Sequence, residues 1–349
     1  MSRLPTILYL NAWDSEDYGV QYLYDGLCDL LGWQQVIDWP LNPYMHKRPF
    51  EERQYDADLG WPEHHFHEYQ IRDLLRARAI DLVVLSSART LALGTASQLL
   101  PWLGSAQALV ALDMEDSREV NAWQMPESLR SGLRVLFKRE WTIDSAQQGP
   151  PGVPILPLPF AYPRSRMVGL AKPDDGPLVF YHACDWGWDT DSPRHRMVRA
   201  LQGRFGGRAD VGLSSCTDKV WTNRLANADY HLRLWRSRIG VAVNEGGGSD
   251  NNRYWETVAH GCVLVTDRPR HEIPDNFVDG QEAFFYATPE EAVEIIARLD
   301  ADPALYERVR QAGIAKFAAH HTTLARATYL LNGITNALLA VGQRPRWWA

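Results

Sequence analysis

Val241-Ala-Val-Asn-Glu-Gly-Gly-Gly-Ser-Asp-Asn-Asn-Arg-Tyr-Trp-Glu256 decides how this chain is read, together with Ala259-His260-Gly261 and the apolar run Cys262 to Thr266 behind it. An apolar strand enters a triple-glycine turn, and a polar helix start with Ser249 or Asp250 as N-cap leaves it. Glycine lets the backbone approach a ligand, and a helix N-terminus offers unpaired N–H groups at the positive end of its dipole. In outline this is a diphosphate cradle. Gly246, Gly247 and Gly248 form the turn, and Ser249 and Asn252 stand at the helix start as further donor contacts. Arg253 can neutralise phosphates, and Glu256, three residues on, projects from the same face. Two anions repel, so Glu256 suits a ribose diol better than a phosphate. A glycine-rich surface loop followed by an intrahelical Arg253–Glu256 pair is the bland alternative.

Outward from this stretch, short apolar runs alternate with amphipathic ones, the pattern of parallel sheets covered by helices. Strands are expected at 6–10, 35–38, 82–86, 107–112 and 133–137, with helices at 19–31 and 67–78 between the first of them. A second series has strands at 178–184, 210–213, 239–244, 262–266 and 283–286, and helices at 193–204, 223–236, 251–260 and 290–299. The proline-rich stretch after Gly149 reads as an extended connector. The expected organisation is therefore an α/β chain with domains at 1–150 and 177–320, a linker at 151–176, and a C-terminal helix from 321 that can cross back to the first domain. A length of 349 residues calls for two cores rather than one.

From about residue 225 to 335 the chain resembles the C-terminal domain of group 1 glycosyltransferases, especially the branch related to spore-maturation glycosyltransferases. The matching pieces are Tyr230, Ser237-Arg238-Ile239-Gly240-Val241, Arg253-x-x-Glu256-x-x-x-x-Gly261 and Val263-Leu264-Val265-Thr266. They continue through Pro274-Asp275, Tyr286, Pro289-Glu290-Glu291-Ala292 and His320-His321-Thr322-x-x-x-Arg326. The resemblance implies the GT-B fold, two Rossmann-like domains facing a cleft, and transfer of a hexose-type sugar from a nucleotide diphosphate sugar to a hydroxyl acceptor. It also implies no metal and no cofactor beyond the donor substrate. In one respect the chain departs from the wider superfamily, whose retaining members often carry a second glutamate eight positions before the ribose one: Gly248 stands there instead.

Further candidates lie at strand carboxyl ends, where ligands bind in open α/β sheets. Arg194, after Ser192-Pro193, can reach donor phosphates, and Trp186 and Trp188 can cover sugar or base. In the first half, Asp17 follows the first strand and Asp113 and Glu115 follow a later one; each is a candidate base for an acceptor hydroxyl, or else a helix cap. Phe137-Lys138-Arg139-Glu140 is similar to the same branch, though its charges can pair structurally. His64, His65 and His67 lack the spacing that puts two metal ligands on one helix face.

A formal charge of −7 gives no basic field for nucleic acid. Four dispersed cysteines suggest reduced thiols, and no apolar run reaches membrane-spanning length, so a cytoplasmic protein without an integral membrane segment is expected. The acceptor would be a glycan, a lipid or a small molecule. A sugar-nucleotide epimerase or hydrolase of the same fold, or a non-catalytic nucleotide-sugar-binding module, are the alternatives.

Overall fold

The computed structural model describes residues 3–11, 17–46, 59–86, 94, 98–99, 101–103, 106–120, 125–167, 171–185, 191–217, 220–222, 225, 227–244 and 250–347. They form two compact units, one of Met1–Pro163, His271–Pro274 and Thr323–Ala349, the other of Arg164–Arg270 and Asp275–Thr322.

The first unit is built on β1 (Ile7–Leu10), β2 (Val36–Trp39), β3 (Leu82–Leu85), β4 (Ala108–Asp113), β5 (Leu133–Lys138) and β6 (Ile155–Pro157). All pair in parallel in the order β2-β1-β3-β4-β5-β6. Unbroken apolar runs such as Leu82–Leu85 suit strands that are buried on both faces. Helix α1 (Tyr18–Leu31) starts at Asp17, whose Oδ1 accepts from the N–H groups of Gly19 and Val20, and stops at Gly32, where φ is +84°. Helices α2 (Glu68–Arg76) and α3 (Glu127–Arg130) follow. β6 lies inside the proline-rich stretch read as connector; its residues pair at the sheet edge, the position that tolerates proline.

The second unit holds β7 (Val179–Asp185), β8 (Ala209–Thr217), β9 (Val220–Thr222), β10 (Ile239–Ala242), β11 (Val263–Asp267) and β12 (Phe284–Tyr286). Their order is β12-β11-β10-β7-β8-β9, parallel except for the antiparallel edge strand β9. Around them stand α4 (Pro193–Phe205), α5 (Asn227–Arg236), α6 (Asn252–Ala259), α7 (Pro289–Ala301) and α8 (Pro303–His320). Helix α8 was not foreseen. Its buried stripe runs Tyr306, Val309, Arg310, Gly313, Ile314 and Phe317, so a charge and a glycine interrupt the apolar period. No described helix is long and apolar enough to cross a membrane.

Helix α9 (Thr323–Ala340) returns to the first unit and lies along α1. The helices meet at Gly26, where a Cβ would stand 2.0 Å from the Thr323 carbonyl oxygen. Beside it, Thr323 Oγ1 donates to Asp25 Oδ2 at 2.8 Å. Behind α1, at the end of β2, His46 Nε2 and Asp38 Oδ2 are 3.0 Å apart with both side chains fully buried. The other ring nitrogen meets the Trp61 carbonyl at 3.0 Å, so both nitrogens face acceptors. Burial works against the imidazolium, but the Asp38 carboxylate and the Trp61 carbonyl outweigh it and raise the His46 pKa above its ordinary value.

Two outcomes are expected. Gly26→Ala has no room on the α1–α9 contact and should lose about 1–3 kcal/mol in urea unfolding. For His46, a raised folded-state pKa means that its contribution is whole below the unfolded value and is lost as pH rises through the folded one. Calorimetric melting temperatures should therefore fall across that window in the parent and stay flat in His46→Gln.

Candidate functional site

In the second sheet the strand order reverses between β7 and β10, since β7 leads to β8 on one side and β10 to β11 on the other. Such a switch point leaves a crevice at the strand carboxyl ends. The helices after these two strands, α4 and α6, start there.

Helix α6 is capped by Asn251, whose Oδ1 accepts from the Arg253 N–H at 2.9 Å. This corrects the expectation of Ser249 or Asp250. Asp250 is buried and accepts instead from Trp255 Nε1 at 2.8 Å. Asn251 also donates to the Val243 carbonyl and to Asn244 Oδ1, both at 3.0 Å, which pins the helix start to the end of β10. Asn244 in turn takes Asp267 Oδ1 onto its N–H at 2.8 Å, and burial pushes the Asp267 carboxyl up to about 6. Gly240 allows the close approach of α6 to β10, because a Cβ there would meet Thr257 Cγ2 at 2.5 Å.

Arg253 and Arg194 are both tied to the carboxyl-terminal half of β7. Arg253 Nε donates to the His182 carbonyl at 2.7 Å, and Arg194 Nη1 donates to the Cys184 carbonyl. Two guanidinium groups from two helices thus converge on one strand end. Glu256, one turn into α6, is only 4% exposed and pairs with neither. Its Oε1 accepts from the Tyr230 hydroxyl and its Oε2 from Asn252 Nδ2 at 3.1 Å. The intrahelical Arg253–Glu256 pair is not formed.

Behind α6, Lys172 Nζ donates to the carbonyls of Trp235 at 2.7 Å, Ser237 at 2.9 Å and His260 at 2.7 Å, and lies 3.1 Å from Cys262 Sγ. One ammonium thereby closes the carboxyl ends of α5 and α6, where helix dipoles favour a cation. His260 stacks on His231 with ring centroids 5.0 Å apart. Burial, and then His231, lower its pKa to about 4. In sequence Lys172 falls in the expected connector, and nothing in its local pattern marks it otherwise.

Gly246, Gly247, Gly248, Ser249, Trp186 and Trp188 lie outside the described residues. In the first unit Asp17 is the α1 cap. Asp113 is fully buried, 3.0 Å from the equally buried Lys138 Nζ, so its carboxylate ties β4 to β5 and is not placed as a solvent-reached base. Glu115 is half-buried on the segment after β4. Arg139 and Glu140 form a second buried pair at 2.9 Å, so the charges of the Phe137–Glu140 segment do pair structurally. The strand order of this sheet reverses between β1 and β3, where Asn11 and Ser86 follow the strands side by side. Both are buried, and among the described residues Asn11 Oδ1 and Ser86 Oγ have no hydrogen-bond partner. Among the described residues no three His, Cys, Asp or Glu side chains gather as for a metal, and His64 Nε2 meets the Trp33 carbonyl.

Residues 193–332 match the family model described as glycosyl transferase-like. A search of curated proteins finds no match. Among solved structures the chain is similar to an alpha-glucosyltransferase in complex with UDP and a 13-mer DNA containing a HMU base (TM-score 0.62, 12% identity, covering 96% of this chain and 100% of that one). It is also similar to HepE of Anabaena in complex with UDP-glucose (TM-score 0.59, 9% identity, 95% and 99% covered). A glycosyltransferase from Rickettsia africae is a third (TM-score 0.57, 10% identity, 97% and 99% covered). At such identities the likeness is one of fold. The fold is that of GT-B glycosyltransferases, and residues 193–332 are similar to the glycosyl transferase-like family.

Lys172→Met should remove the shared donor and leave helix-end carbonyls bare, lowering stability by about 3 kcal/mol in denaturant unfolding. Cys262→Ala, which leaves the three carbonyl bonds intact, should cost less than half of that.

Proposed function

We propose that the protein transfers a sugar from a nucleotide diphosphate sugar to a hydroxyl acceptor. The observation that carries this reading is the convergence of Arg194, Arg253 and the α6 N-terminus on the β7–β10 switch point, with the Glu256 carboxylate one turn deeper. Guanidinium groups and helix N–H donors fit a diphosphate, and a carboxylate beyond them fits the ribose. In this reading Gly246, Gly247, Gly248, Ser249 and Asn252 complete the donor site. UDP and UDP-glucose, held by structural relatives, are the first donors to try.

We assign the base to Glu115 rather than to Asp17, which caps a helix, or Asp113, which sits in a buried ion pair. The open Asn11 Oδ1 and Ser86 Oγ at the first sheet's switch point favour an acceptor rich in hydroxyls. The overall charge of −7 favours a glycan, lipid or small molecule over nucleic acid. The reading includes no metal and no resident cofactor, a cytoplasmic setting, and kinship with the spore-maturation branch.

Calorimetry with UDP, GDP and ADP, each alone, tests the donor half. The nucleotide that binds the parent should bind Arg253→Ala about 1.5–3 kcal/mol more weakly, the range for a lost charge-assisted contact. Unchanged affinity in Arg253→Ala, with loss in Arg194→Ala, would move the phosphates to Arg194. Turnover of a sugar nucleotide that is equally fast with and without an acceptor would instead identify a hydrolase or epimerase.

A further inference from the structure

Glu256 is a buried carboxylate without a cation. Among the described residues it makes no ion pair, and its two hydrogen-bond partners, Tyr230 and Asn252, are neutral donors, one on each oxygen. Burying a charge on such terms is costly unless something further accepts the arrangement. A carboxylate has about four lone-pair sites. Tyr230 takes one on Oε1 and Asn252 one on Oε2, which leaves a site on each oxygen for two further donors.

Both holders are themselves held. The Tyr230 ring stands edge-on to Phe180 of β7 with centroids 5.1 Å apart and perpendicular to His231 at 5.3 Å. Burial first, and then the Glu256 charge, raise the Tyr230 pKa well above its ordinary value, so the phenol stays a donor. Asn252 spends its amide N–H on Glu256, while its Oδ1 is enclosed and has no hydrogen-bond partner among the described residues. Donors that reach Glu256 from α5 and from the first turn of α6 leave the carboxylate plane little freedom to rotate.

We propose that Tyr230 and Asn252 are positioning residues that fix the Glu256 carboxylate for a vicinal diol, and that this clamp sets selectivity for ribonucleotide over 2′-deoxyribonucleotide donors. The proposal rests on the ribose role given to Glu256 above. Two hydroxyls meet two preset acceptors only when the carboxylate plane faces them. A free carboxylate would bind either sugar through one hydroxyl at a time, with smaller preference.

The test measures dissociation constants by calorimetry for the tightest binder among UDP, GDP and ADP and for its 2′-deoxy counterpart. Parent, Tyr230→Phe, Asn252→Ala, Glu256→Gln and the double variant Tyr230→Phe/Glu256→Gln are compared. Phenylalanine keeps the ring contacts and removes only the donor. Tyr230→Phe and Asn252→Ala should each lose about three- to tenfold of the ribo/deoxy ratio, the worth of one hydrogen bond, and in Tyr230→Phe the deoxy affinity should change little. The double variant should lose no more than Glu256→Gln alone, because the clamp acts through that carboxylate. Selectivity retained in Glu256→Gln would overturn the ribose role itself. Selectivity lost in Glu256→Gln but kept in Tyr230→Phe and Asn252→Ala would overturn the clamp alone. Equal weakening of both ligands, with a lower melting temperature, would make Tyr230 structural and likewise overturn it. Failure of the parent to bind any of the three nucleotides would remove the donor reading and the clamp with it.

Discussion

The ammonium of Lys172 is the constraint on which the second unit's geometry depends. Three carbonyls from the ends of α5 and α6 point at one nitrogen, and helix-end carbonyls carry partial negative charge with no partner inside their own helix. With these ends brought together, α6 can lean on β10 only where Gly240 leaves space. Its other end is pinned by Asn251 to Val243 and Asn244. A helix fixed at both ends presents its first turn in one direction. Arg253 and Glu256 inherit their positions from that.

The site separates its charges by depth. The guanidinium groups sit at the rim formed by the end of β7, each holding a backbone carbonyl, whereas Glu256 lies below among neutral donors. Had Arg253 paired with Glu256, each would have cancelled the other's use for a ligand. The carbonyl of His182 prevents this by giving the arginine another partner, an acceptor without net charge. Asp267, close by at the end of β11, accepts from the Asn244 N–H, and burial pushes its carboxyl up to about 6.

Most of the scaffold could be read from the chain, because parallel strands buried on both faces need unbroken apolar runs and these stand out at Ile7–Leu10, Leu82–Leu85 and 262–265. Three features that escaped have a physical reason. Helix α8 buries Arg310 and Gly313 on its inner face, which erases the apolar period. β6 pairs at an edge, where prolines cost little. The cap of α6 fell to Asn251 because Asp250 found a buried partner in Trp255, a contact that no local pattern displays. Arg253 and Glu256 were legible as types at a spacing, and so was Tyr230 as part of a motif. That Arg253 turns to a carbonyl and Tyr230 to Glu256 depends on β7 and α5, which lie some seventy and thirty residues upstream. Lys172 acts wholly at long range.

The return of Thr323–Ala349 to the first unit makes the second unit an insertion within the first. During synthesis the inserted unit has all of its residues once Thr322 has emerged, while the first must wait for α9. Until α9 arrives, the face of α1 around Gly26 has no Thr323 against it, and Asp25 lacks one of its hydrogen-bond donors. The protein therefore completes its units in the reverse of the order in which they begin, and a chain cut short before α9 would carry a finished inserted unit beside an open first one.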